Sequence, residues 1–170
     1  MTARRPGGPS DTTRVAVGGF TVVLVLAAVG TVGHRPLLIA PFAASAVLIL
    51  ALPHSPLSRP RTVVAGYLIC TALGLALAAG GLPGAWSQGI AVGLGGLGMQ
   101  LTRTLHPPAA AVPVLVGTTH ADPGFLLTPV LLGAVVLAGL AALTRRLVHS
   151  PPAVPRVAAP TPAPCAPRPT

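Results

Sequence analysis

Apolar residues run in six stretches, 15–32, 36–52, 62–80, 84–102, 107–118 and 125–143, and the cations sit between them or in the two tails. An α-helix rises about 1.5 Å per residue, so about 20 apolar residues match a hydrocarbon core of about 30 Å. Four of the six stretches come close to that length. The fifth has only 12 residues, which make about 18 Å of helix, and the second is cut by Pro41, leaving 42–52 as its unbroken part. The pattern predicts an all-α fold: a polytopic membrane helix bundle of six hydrophobic segments, with the second of each half short or proline-interrupted.

Composition excludes the soluble alternative. Of 170 residues, 52% are hydrophobic and 8% charged, with mean hydropathy +0.77. Soluble domains carry about a quarter charged residues to face water. All 11 cations are arginine, and they place the segments relative to the bilayer. If all six stretches cross and the N-terminus is cytoplasmic, Arg4, Arg5, Arg14, Arg59, Arg61, Arg103, Arg145, Arg146, Arg156 and Arg168 lie inside and only Arg35 outside. If the two short stretches are re-entrant, Arg59, Arg61 and Arg103 move outside as well, and the bias weakens. Six crossings, with both termini cytoplasmic, is therefore the expected topology.

The charge of +9 does not point to nucleic acid, because the arginines form no stripe and no aromatics interleave them. Residues 1–14 form a basic cytoplasmic N-terminus, and 15–148 the membrane domain. The following apolar segments argue against a cleaved signal peptide at the start. Residues 149–170 are expected to be a disordered Pro/Ala-rich cytoplasmic tail. Cys70 and Cys165 fall in unlike environments and predict neither disulfide nor metal site.

The two interrupted stretches hold the same place in each half, and an offset of 66 aligns Pro41 with Pro107, Ala43 with Ala109, Ala44 with Ala110 and His54 with His120. Three crossings per half would make this a 3+3 inverted repeat, the plan of many secondary transporters. Proline suits the first turn of a helix, where a missing N–H costs nothing, so Pro41 and Pro107-Pro108 mark helix starts inside the bilayer. The amides of Ala43, Ala44 and Ser45, and of Ala109, Ala110 and Ala111, would then present two positive dipole ends to an anion. Gly89, Gly93, Gly96 and Gln100 make a smooth face for a neighbouring helix that leads toward Arg103, with His106 just beyond. Arg103 and His106, drawn into the membrane by the short stretch, become the charged members of the site, with headgroup snorkelling the competing reading for Arg103. Ser45 is the one hydroxyl beside a helix start. For Tyr67, Cys70 and Thr71 the expectation is interhelical packing and hydrogen bonding, and for His54 and His120 a loop or cap role.

The run Leu105-His106-Pro107-Pro108-Ala109-Ala110-Ala111, together with Pro41-Phe42-Ala43-Ala44-Ser45-Ala46 and Leu52-Pro53-His54-Ser55-Pro56-Leu57, resembles the HPP family of small integral membrane proteins. Members usually carry Gly where this chain has Ala44 and Ala110, and His where it has Tyr67. Plastid and cyanobacterial relatives are linked to nitrite transport, so the resemblance implies a small-anion permease in a plasma membrane, here expected to be bacterial. The substrate-binding residues it leaves in view are Arg103, His106, Pro107, Pro108, Ala109, Ala110, Pro41, Ala44 and Ser45.

Three functions compete. A transporter or channel for a small inorganic anion such as nitrite uses the parts just named, with the lipid bilayer and the anion as partners and no cofactor. An intramembrane enzyme lacks paired carboxylates, a metal-binding cluster and a Ser/His/Asp set in its apolar segments. A non-transporting sensor would recruit a partner through the proline-rich tail. The glycine faces also permit homo-oligomerisation.

Overall fold

The computed structural model describes residues 9–32, 39–81 and 84–148. Arg4, Arg5, His34, Arg35, His149 and the proline-rich tail lie outside the described residues. The described chain forms α1 (Pro9–Val32), α2 (Ala40–Ala51), α3 (Pro60–Ala79), α4 (Gly84–Leu101), α5 (Val112–Thr119) and α6 (Leu132–Leu147). Short 3₁₀ turns at Pro56–Ser58, Pro107–Ala111 and Pro123–Leu126, and a π turn at Leu127–Leu131, occupy the connections. Three spans, Thr12–Thr31, Pro60–Ala79 and Pro123–Leu147, are long and apolar enough to cross a membrane. The described chain is thus an all-helical membrane bundle, and the two short helices α2 and α5 are its second and fifth helices.

Glycine contacts fix the directions. Arg14 in the second turn of α1 reaches Leu50 O at the end of α2, and Gly19 further along α1 meets Val47 earlier on α2, so these two run antiparallel. On α4, Gly95 abuts Cys70 and Gly98 abuts Ile69 of α3, again antiparallel. Gly74 of α3 touches Pro113 of α5, while Gly66 touches His106 just before it, which makes α3 and α5 parallel. Gly133 of α6 holds the ring of Phe42 of α2, and Arg145 at the other end of α6 reaches Pro53 just beyond α2. Arg14, Arg59, Arg61, Arg103, Arg145 and Arg146 consequently share one end of the bundle, and His120 and Asp122 lie at the other. The re-entrant alternative would have separated Arg59, Arg61 and Arg103 from Arg14 and Arg145.

Several expectations need correcting. The chain after Pro107 starts as a 3₁₀ turn, with α-helix only from Val112. Two successive prolines lack N–H groups, and the next amide, Ala109 N–H, donates to His106 O at 3.0 Å, so it is not a free anion donor. The last stretch is not one smooth helix either. Thr128 has φ −136° and ψ 115°, as suits a residue preceding proline, and Pro129 follows it. On α4 the packed face is Ser87, Ala91, Gly95 and Met99, whereas Gly89, Gly93 and Gly96 have no neighbour there and Gln100 is exposed. The i, i+4 register that wins puts Gly95 against Cys70 and Met99 against Gly66.

Candidate functional site: a buried polar chain between the short helices

His106 ends the loop after α4, and Pro107-Pro108 fix the backbone beyond it. Its ring is fully buried. Nδ1 lies 2.9 Å from the carbonyl oxygen of Leu57 in the α2–α3 connection. A carbonyl only accepts, so Nδ1 carries hydrogen and donates. On the other side Nε2 is 2.7 Å from Ser45 Oγ in the second turn of α2, and Ser45 Oγ is 2.7 Å from the Tyr67 hydroxyl on α3. All three side chains are fully buried.

Local sequence explains the convergence. Pro41 sits in the first turn of α2 and starts that helix inside the bundle, so Ser45 is inside as well. Phe42, one turn earlier, meets the Tyr67 ring edge-on at 5.0 Å and is itself seated on Gly133. Tyr67 is tilted against the His106 ring at 5.6 Å. Gly66 makes room for the imidazole, because a β-carbon there would stand 2.9 Å from His106 Cβ and 3.2 Å from Met99 Sδ.

In neutral His106 the chain has one direction. Nε2 accepts from Ser45 O–H, and Ser45 Oγ in turn accepts from Tyr67 O–H. Among the described residues no buried side-chain nitrogen or oxygen is left without a partner. The cluster therefore closes on itself.

The connection 52–59 covers the cluster toward the arginine-bearing end. Arg145 donates to Pro53 O at 2.9 Å and to Ser55 O at 3.4 Å, His54 Nε2 donates to Val148 O at 2.7 Å, and Ser55 Oγ caps the short turn by accepting from Leu57 N. His54 thus has the loop role expected of it. His120 is a helix cap in the left-handed conformation, φ 49°.

The sequence-derived site is only partly assembled. Ser45 and His106 are in direct contact, Pro41 and Ala109 are buried nearby on the same elements, and Pro108 and Ala110 are half-buried. Ala44 and Pro107 are exposed. Arg103 is exposed too, with φ 56°, at the end of α4, where Thr104 N–H returns to Met99 O at 2.8 Å and closes the helix. Arg103 is thus at the surface, whereas the histidine is fully buried. Tyr67 was expected only to bond between helices; it does, and its partner makes it part of the site. Its spacing from Ser45 and His106 gave no local signal. Thr71 bonds its own helix at Tyr67 O, and Cys70 packs against Met99. No three His, Cys, Asp or Glu residues among those described are placed to hold a metal.

The model of the HPP transmembrane region matches residues 4–153. The chain belongs to the HPP transmembrane family. A transmembrane protein of Dictyostelium discoideum is 32% identical over 133 residues, 71% of this chain and 47% of that protein. A second from the same organism is 37% identical over 82 residues, 46% of this chain and 26% of the relative. This HPP chain spans about half the length, or less, of the curated relatives it matches. No solved structure matches it.

Proposed function

We propose that this HPP protein carries a small inorganic anion of the nitrite type across the membrane, and that His106 with Ser45 is the group the anion meets. The observation that carries the reading is the buried Tyr67–Ser45–His106 chain at the meeting of two short, proline-started elements. A polar cluster is costly in an apolar bundle, and ionisable groups at such depth are functional candidates by default. The meeting of α2 with the 3₁₀ turn after His106 fits the broken segments of the inverted-repeat plan, which place the substrate site at the interface of the repeats. The arginines at one end would mark the cytoplasmic face and raise the local anion concentration there, Arg103 acting by attraction rather than contact. Entry from that end requires the connection 52–59 to move.

The test is flux into proteoliposomes with nitrite, nitrate, formate and chloride in competition. Uptake of one of them that is abolished in His106→Ala and lowered only modestly in Arg103→Ala supports the reading. Absence of protein-dependent flux for all four would overturn it.

A further inference from the structure

The hydrogens of the buried cluster balance only while His106 is neutral. With His106 neutral, three donors, Nδ1–H, Ser45 O–H and Tyr67 O–H, meet three acceptors, Leu57 O, Nε2 and Ser45 Oγ. One added proton on Nε2 breaks that balance. Nε2 then donates to Ser45 Oγ, the Ser45 hydroxyl turns to donate to the Tyr67 oxygen, and the Tyr67 hydrogen is left without an acceptor. The protonated cluster has four donors for three acceptors, and it carries a positive charge in an apolar setting. An anion supplies both missing quantities, a fourth acceptor and a compensating charge.

We propose that the Tyr67–Ser45–His106 chain is a proton-linked anion switch, in which a proton and an anion are taken up together and released together. This rests on the anion-carrier reading above. The bond formed on uptake is N–H at Nε2, the same bond breaks on release, and the anion leaves as the chain returns to its closed direction. Uptake of the pair adds no net charge to the cluster, which keeps it compatible with a lipid-embedded bundle.

Among the described residues no other group facing His106 can take this part. On α3 the titratable neighbours are Tyr67 itself and Cys70, one turn on and packed against Met99. From α2 only the Ser45 hydroxyl faces the ring, and the connection 52–59 offers the Leu57 carbonyl. The buried residues of α4, α5 and α6 include no ionisable side chain. Arg14 of α1 is bound to Leu50 O, Arg103 is exposed, Arg145 is engaged on Pro53 and Ser55, and the acid Asp122 is at the opposite end.

The experiment uses the full chain in lipid nanodiscs with isotope-labelled histidine, His106→Gln serving to assign the ring-nitrogen resonances. Nitrite is titrated at fixed pH while its binding is measured on the same sample by calorimetry. The proposal expects nitrite to convert His106 from the neutral to the doubly protonated form. By linkage, nitrite affinity should rise as pH falls, by up to about tenfold per unit. Tyr67→Phe, which removes the spare donor but keeps the Ser45–His106 bond, should weaken nitrite binding while the histidine signal in its absence stays as in the wild type. Nitrite that binds with the His106 resonances unmoved and with pH-independent affinity would overturn the switch and leave the carrier reading standing. If nitrite, nitrate, formate and chloride all fail to bind or cross, both fall together.

Discussion

Ser45 gives and receives in the proposed chain, and this asymmetry makes its removal a test of direction. Ser45→Ala takes the donor from His106 Nε2 and the acceptor from Tyr67 O–H, so two buried polar atoms lose their partners at once. Orphaning a buried group costs about 1–3 kcal/mol, which gives about 2–6 kcal/mol for the pair. Interhelical hydrogen bonds measured in membranes average only about 0.6 kcal/mol, so two of them set a floor of about 1 kcal/mol. All three side chains are fully buried, which places this site above that floor. Tyr67→Phe is milder, about 0.5–1.5 kcal/mol, because Ser45 keeps its acceptor and loses only an incoming bond. The double variant orphans Nε2 alone and should be less destabilised than Ser45→Ala by itself. Equilibrium unfolding in mixed detergent–lipid micelles, followed by helical circular dichroism, gives the three values. A cost for Tyr67→Phe equal to that of Ser45→Ala, or a double variant at the sum of the singles, would refute the assigned direction and the tautomer behind it.

The packing predicts further outcomes in the same assay. In Gly133→Ala the new methyl falls inside the ring of Phe42, which is fully buried against Tyr67, so a loss of about 1–3 kcal/mol is expected, and Phe42→Leu in the same chain should recover part of it. Gly95→Ala places a carbon 2.9 Å from Cys70 Sγ and should destabilise, whereas Gly93→Ala meets open space and should gain up to about 1 kcal/mol from helix propensity; equal effects would mean that α4 packs by a different face. Arg103→Gly relieves a left-handed residue and should stabilise by about 0.5–1 kcal/mol, which an upward shift of the unfolding midpoint would report.

Much of this architecture is legible in one dimension. Segment number and the two short members follow from run lengths against bilayer thickness, and Pro41 and Pro107 mark starts because their missing N–H groups are harmless only there. Pro129 carries a signal of the same kind, and the kink at Thr128 is its result. The packed face of α4 is not legible in sequence, because glycines at 89, 93, 95, 96 and 98 offer several registers and composition cannot choose among them. Arg103 and His106 are near in sequence, yet α4 closes between them with the bond from Thr104 N–H to Met99 O, and one is exposed while the other is buried.

What the sequence determines by itself is therefore the solvent each residue needs: the length of a span, the sign of its flanks, and where a backbone without a donor can begin a helix. Those are local properties, set by the bilayer and by covalent geometry. Which polar groups meet belongs to the tertiary structure alone. Ser45, Tyr67 and His106 are far apart along the chain and join only because Gly66 and Gly133 let α2, α3, α6 and the loop after α4 close to hydrogen-bonding distance. A hydrogen bond needs its partner within about 3 Å, and no periodicity in an apolar sequence specifies a distance between different helices.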